Sequence, residues 1–485
     1  MTSWSIREPL LASLPRKNIG AFCNRYGKSI RVRRCQQAIR LRFLTRIVFL
    51  GFLLLSFSAQ SGCAPQLAKN GEAQLRERVE EIKQNVAAIR GLKFARAVPI
   101  HVENEGVIRK YLEAELIGDK GEEKLRNTAL AYSKLGLFPA GINLKNSLLK
   151  MYAAQVQGFY DLQGKKVVLP KHSGDGINTG GHRGASACDD KVVAHELTHA
   201  LQDQHFALGE RLGPSNNSDK TLAFRAVAEG DANLAESLYS FGGIFQDSGL
   251  SVGQISQTGT GELPPGMSDV PSAIADKLLF QYQIGTSFVK HVFAKWGWPG
   301  VNLLYRSPPR STEQLLHPEK YLDSPDPPTI IELTNLSCLF SVDWTEIENN
   351  TLGELMVQSL FSGFVSREEA MMVAGGWDGD RFVAFRRGDE ISFIWVTAWD
   401  SPEDAQEFYD KYQVILLRKY PASVLSNPHF HVEKRGHLVI VTEGVERSDV
   451  KKCIDKIWQG MALQEDISES SVVRVDSHPA DHASR

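Results

Sequence analysis

Cysteine is scarce in this chain, with six among 485 residues. Cys23, Cys35 and Cys63 lie in or at the end of a basic, apolar leader, which leaves Cys188, Cys338 and Cys453, too few for a disulfide scaffold. An oxidising compartment permits one bridge among these three, and spacing leaves its partners open. The chain also lacks an apolar run of transmembrane length. The run Ile47–Ala59 spans 13 residues, which is short for a bilayer and suits a signal-peptide core. No strong excess of one charge is present, since the formal net charge is -2. The first 62 residues carry 11 Lys or Arg against the single acid Glu8, which leaves 44 basic and 56 acidic residues beyond them, a net of -12. An acidic body excludes nucleic acid as its main partner. No repeat of solenoid period occurs. The glycine-rich stretch "HSGDGINTGGHRGASACDD" has no P-loop lysine and reads as a loop, not a phosphate cradle.

What is present begins with export. Residues 1–62 read as a basic lead and signal peptide, and the small residues ending at Cys63 resemble the lipobox of bacterial lipoproteins, which implies that Cys63 is lipidated. Gln60 stands where the usual leucine would be, and Ala59 with Ser61 offers ordinary cleavage before Gly62 instead. Either route, or an uncleaved anchor, puts the body outside the cytoplasm: in the periplasm, at the outer membrane through a lipid anchor, or secreted. With 42% apolar and 23% charged residues the 485-residue chain reads as globular, and its length implies two or three domains.

Periodicity supplies the elements. Leu75, Val79, Ile82, Val86 and Ile89 recur at threes and fours, as on an amphipathic helix. "ARAVPIHVE" alternates like a strand, and 107–116 returns to helix. "QGFYDLQGKKVVLPK" reads as a hairpin around Gly164, stopped by Pro170. Helical segments follow around 191–210, 221–241 and 278–298. Ser311 and Gln314 then form a capping pattern for a short helix ending before Pro318. The proline-rich "LDSPDPPT", 322–329, marks a boundary. Beyond it, 381–385 and 391–399 alternate around "RRGDE", Ser401 caps a helix begun by Pro402, and a second hairpin precedes a helix started by Ser448. Two ββα units predict a small α+β sandwich. The expected division is therefore a domain over 63–330, an α+β domain over 331–462 and a polar tail over 463–485.

The chemistry concentrates in "KVVAHELTHALQDQHFALGE", 191–210, where His195, Glu196 and His199 form HExxH. Residues four apart on a helix lie about one turn and 40° apart, so two imidazoles can grip one ion. Glu196, about 100° round from His195, reaches a water on that ion as general base without ligating it. A catalytic zinc needs a third protein ligand and an open position. Glu229 in "VAEGDAN" is the preferred third ligand, on a following helix. His205 is the alternative, although Gln202 occupies the place of a turning glycine and a continuing helix carries His205 about 120° away from His199. Asp203 or Asp231 could orient the histidines, and His317, Tyr321 and Tyr282 could serve an oxyanion.

"HELTHALQDQHF" followed by "AVAEGDA" resembles the gluzincin-type zinc metallopeptidases. More narrowly, "RGLKF", "QGFYD", "HELTHALQDQH", "EGDA", "STEQLLHPEKY" and "GGWDGDR" together resemble a family of secreted bacterial metallopeptidases, often lipoproteins, over about residues 75 to 460. The resemblance implies an α+β fold, with a mainly helical zincin-like domain carrying a small edge sheet and then a smaller α+β sandwich. It also implies Zn2+ on His195, His199 and Glu229, with Glu196 as general base acting on a peptide or protein substrate. The strand 166–169, just before the motif helix, is expected to offer its edge to an extended peptide. The rival expectation from another class is an envelope lipoprotein that binds zinc without turning over.

Overall fold

The computed structural model describes residues 67–117, 121–155, 157–171, 186–213, 215–242, 270–421, 429–445 and 450–465. The expected signal segment, Cys63, residues 172–185 of the glycine-rich stretch, Ser448 and most of the polar tail lie outside them, while Ser186–Asp190, expected as loop, are helical. The fold is α+β. Its first part runs α1 (Leu67–Arg90), β1 (Ile100–Glu103), α2 (Glu105–Ile117), α3 (Gly121–Leu135), α4 (Leu144–Gln155), β2 (Phe159–Asp161) and β3 (Lys166–Pro170). The long helix α5 (Ser186–Phe206) follows, then α6 (Leu208–Arg211), α7 (Ser218–Ser240), α8 (Ser272–Leu279), a π turn (Phe280–Ile284), α9 (Gly285–Arg306), α10 (Glu313–Leu316) and α11 (Glu319–Leu322). The remainder is β4 (Thr329–Glu332), β5 (Thr345–Asn350), α12 (Glu354–Ser362), α13 (Arg367–Ala374), β6 (Trp377–Arg387), β7 (Glu390–Trp399), α14 (Pro402–Lys419), β8 (Phe430–Arg435), β9 (Leu438–Glu443), α15 (Val450–Gly460) and β10 (Ala462–Glu465). Among the described residues no helix is long and apolar enough to cross a membrane.

The alternation beyond 377 becomes an antiparallel sheet of order β5-β6-β7-β9-β8. Its central hairpin turns through Gly388 and Asp389, with Arg387 paired to Glu390 and Gly388 at a φ of 59°, the left-handed backbone that glycine adopts without strain. Ser401 caps α14 by accepting from the Asp404 N–H, and Pro402 occupies its first turn. The predicted cap at Ser311 is modified: Ser311 accepts from the Gln314 N–H, while the Gln314 carboxamide reaches past Ser311 to the Arg310 N–H. One apolar core runs from Ala129 on α3 to Val441 on β9, so elements on both sides of the expected division at 330/331 share it. Tyr132 and Phe382 meet across that division with ring centroids 6.0 Å apart. A second cluster around Ile394, Val396 and Ile454 covers the other face of the sheet, where Cys338 is bridged to Cys453.

The small sheet beside α5 has the order β1-β3-β2. The hairpin is where periodicity puts it, with Phe159 opposite Val168, but β1 pairs in parallel with the other side of β3. Lys166–Pro170 is therefore the central strand and has no free edge, contrary to the expectation that it receives a peptide. The edge on the other side of the hairpin belongs to β2. A proline at Val168 would break the sheet instead of probing a substrate.

Candidate metal centre

Helix α5 buries Val193, Ala194, Leu197, Ala200 and Leu201 against Val79, Ile82 and Val86 of α1 and against the hairpin residues Tyr160 and Val167. His195 and His199 are left on the flank facing α7, against Glu229 and Glu236. Small residues let α7 come close: Ala223, Ala226, Ala228, Gly230, Ala232 and Ala235 are all buried. At Gly230 an added Cβ would lie 2.3 Å from the Gly285 carbonyl oxygen, and one at Gly285 would lie 2.1 Å from that of Ala226. Two backbones in contact fix where Glu229 can stand. Gly285→Ala is expected to cost about 1–3 kcal/mol of stability through overpacking, and to weaken metal binding by moving α7. Guanidinium unfolding with a parallel zinc titration measures both, and a variant matching wild type in both would show that this contact does not position Glu229.

Three ligand atoms converge. His195 Nε2 and His199 Nε2 are 3.2 Å apart, and Glu229 Oε2 lies 3.4 Å from the first and 3.5 Å from the second. These separations are too long for charge-assisted hydrogen bonds, which run at about 2.7–2.9 Å. The buried Oε2 accordingly has no hydrogen-bond donor. They match the edges of a tetrahedron, because bonds of about 2.0–2.1 Å set ligand atoms about 3.3–3.4 Å apart. The ring nitrogens on the far sides are engaged: His195 Nδ1 is 3.2 Å from Glu236 Oε2, and His199 Nδ1 is 2.9 Å from Gln202 Oε1. When both rings are neutral and donate through Nδ1, three lone pairs meet with no proton among them, an arrangement a cation satisfies. Two imidazoles and one carboxylate suit zinc.

Electrostatics follow from burial and these neighbours. Burial works against a charged His195, but the Glu229 and Glu236 carboxylates outweigh it and hold its pKa well above the usual value. Burial likewise opposes a charged His199, and Glu229 again tips the balance upward. Glu229 is driven below the ordinary carboxylate range, the pull of the two imidazoles exceeding the effect of burial. Burial lifts Glu196 above its usual range, partly offset by the two imidazoles and by the backbone N–H of Tyr160, which donates to it. Glu196 stands outside the three-donor set and accepts from the Tyr160 N–H of the edge strand β2.

The other candidates separate cleanly. His205 lies on the continuing helix and bonds the Lys93 carbonyl oxygen at 2.8 Å, away from the cluster. Asp203 pins the hairpin, accepting from Tyr160 Oη at 3.0 Å, Lys165 Nζ at 2.8 Å and the Gly209 N–H at 3.3 Å, and does not orient a histidine. Asp231 accepts from Gln202 Nε2 at 3.1 Å, Tyr305 Oη at 2.7 Å and Arg90 Nη2 at 3.1 Å, so it reaches His199 only through Gln202. His317 is committed to Glu354 Oε1 at 3.0 Å, and Tyr321 donates to the Ser307 carbonyl. Tyr282 is exposed on the π turn. Glu236 and Gln202 escaped the sequence reading. Glu236 is seven residues after Glu229, two turns along one helix face, and Gln202 is three residues after His199, spacings that could have exposed both.

A second acidic group, Glu313, Asp326 and Asp400, has its cation already. Lys320 Nζ lies 2.5, 3.0 and 2.6 Å from these carboxylates in turn. The "GGWDGDR" acids also work structurally. Asp380 accepts from the N–H groups of Leu352 and Gly353 and from the indoles of Trp377 and Trp395, and Asp378 holds Thr329.

The class defined by fold and site is thus an α+β protein with a His-His-Glu donor set next to a buried glutamate. Residues 341–453 match a family model described as a domain of unknown function (DUF8575). No curated protein matches the chain. Among solved structures, a crystal structure from Chloroflexus aurantiacus described as a putative hydrolase with a novel fold is similar at 19% identity. The alignment covers 53% of this chain and 90% of that one with a TM-score of 0.33, a likeness too slight to carry an argument.

Proposed function

We propose that this chain is an exported, zinc-dependent metallopeptidase of gluzincin type with a zincin-like catalytic region. The observation that carries the reading is the convergence of His195 Nε2, His199 Nε2 and Glu229 Oε2 at 3.2–3.5 Å, with Glu196 beside them and outside the set. The three would hold Zn2+, which when bound supplies Lewis acidity that favours hydroxide over water and polarises an amide carbonyl. Glu196 takes the proton from the attacking water as the C–O bond forms, and returns it to the leaving nitrogen as the C–N bond breaks. The Tyr160 N–H on β2 orients the Glu196 carboxylate. A peptide lying extended along that edge strand would pass the glutamate, and backbone pairing asks little of its sequence. The Cys338–Cys453 bridge is consistent with export, as is the leader ending at Cys63, the proposed lipid attachment to a membrane.

The test is metal content and peptide hydrolysis by the purified wild type. About one zinc per chain is expected, with cleavage of a mixed peptide library that stops under 1,10-phenanthroline and returns with added zinc. Protein that takes up no zinc contradicts the reading, and protein that holds zinc yet cleaves nothing is the inactive envelope module instead.

A further inference from the structure

The two histidines are backed differently. His195 meets the carboxylate of Glu236 directly, whereas His199 meets a neutral carboxamide. A carboxamide can present either end, so what decides its orientation matters. Gln202 is fully buried, and its Nε2 faces two groups that only accept, the Ala228 carbonyl at 2.9 Å and Asp231 Oδ2 at 3.1 Å. Turning the amide over would set oxygen against both, so Oε1 must face His199 Nδ1. Asp231 stays an acceptor because the guanidinium of Arg90 lies against it, with Nε 2.8 Å from Oδ1, and both side chains are wholly buried. Arg90 is held in turn by Asn302 at 3.0 Å and by the face of Trp298 at 4.0 Å.

We infer that Asp231 and Gln202 are positioning residues that hold the neutral His199 ring as the Nδ1–H tautomer, so that its Nε2 lone pair faces Glu229 without an ion to place it. Arg90, at the end of α1 and 141 residues from Asp231, anchors the arrangement and makes the ligand geometry depend on the docking of that helix. The inference deepens the metal-site reading and rests on it for its purpose, but it makes its own claim about the metal-free protein.

The experiment uses full-length protein with 15N-labelled histidine, metal-free, at a pH where the rings are neutral. Long-range 1H–15N correlation then reports which ring nitrogen carries the proton. Wild-type His199 is expected to be protonated on Nδ1. Gln202→Leu is expected to shift it toward a mixture including Nε2–H, and to raise the zinc Kd about 10–100-fold in chelator competition. Asp231→Asn, nearly the same shape, should move both readouts the same way by less, and it carries the test if the leucine variant does not fold. A wild-type His199 protonated on Nε2 overturns the inference, as does a folded Gln202→Leu with unchanged tautomer and affinity. Wild-type protein with the Nδ1 proton but no zinc affinity supports the inference and removes the metallopeptidase reading, so the two failures are distinguishable.

Discussion

Replacing Glu229 with alanine is expected to reduce zinc affinity by about 10²–10³-fold. The estimate follows from four-donor zinc sites, whose apparent binding free energy of about 10–16 kcal/mol assigns roughly 2.5–4 kcal/mol to each ligand. The loss should be at the high end here, because Oε2 is buried and has no hydrogen-bond donor to reward it when the ion is gone. Two imidazoles 3.2 Å apart remain, and they lack the anion that draws a cation between them. Chelator competition measures the affinity directly. Thermal unfolding gives an independent reading, since an ion at 100 times its Kd stabilises the native state by about 2.7 kcal/mol. Wild type should gain that stability on adding zinc and Glu229→Ala should not. An alanine variant with wild-type zinc affinity would mean that the third ligand lies elsewhere in the chain.

The second large effect belongs to Glu196. Glu196→Gln should lower peptide hydrolysis by about 10²–10⁴-fold, the range typical of a general acid-base group, while zinc stoichiometry stays at wild type. The separation is expected because the carboxylate is not one of the three converging donors. The carboxamide has the same shape, and its oxygen can still accept from the Tyr160 N–H that the glutamate uses. The fold should be indifferent to the exchange, which circular dichroism and melting temperature would verify. Hydrolysis that survives at wild-type rate would remove Glu196 from the chemistry, and loss of zinc along with activity would make it a ligand.

These effects trace to features of unequal legibility. The spacing of His195 and His199 could be read directly, because four residues make about one helical turn wherever the helix lies. The choice of Glu229 over His205 was partly local as well: His205 follows on the same uninterrupted helix and turns away to Lys93. The two ββα units were equally plain, since alternation, a glycine turn and a Ser-Pro cap all act within a few residues. The strand edge was misread for the opposite reason. The hairpin was visible, but β1, the strand that closes one side of β3, lies more than sixty residues upstream, and no local pattern announces that pairing. The proline-rich stretch marks an expected domain boundary, yet elements on both sides of it share one apolar core.

The sequence by itself determined the donor types, the two imidazoles on one helix face, the glutamate between them and the helical and alternating segments, all consequences of chain geometry over one or two turns. Only the tertiary structure decided which strand faces Glu196, and how Arg90, Tyr305 and Asp231 come to orient Gln202. Those outcomes depend on which buried surfaces fit against each other. Side chains 74 to 141 residues apart meet because small residues on α7 let helices approach, and that fit belongs to the packed chain as a whole.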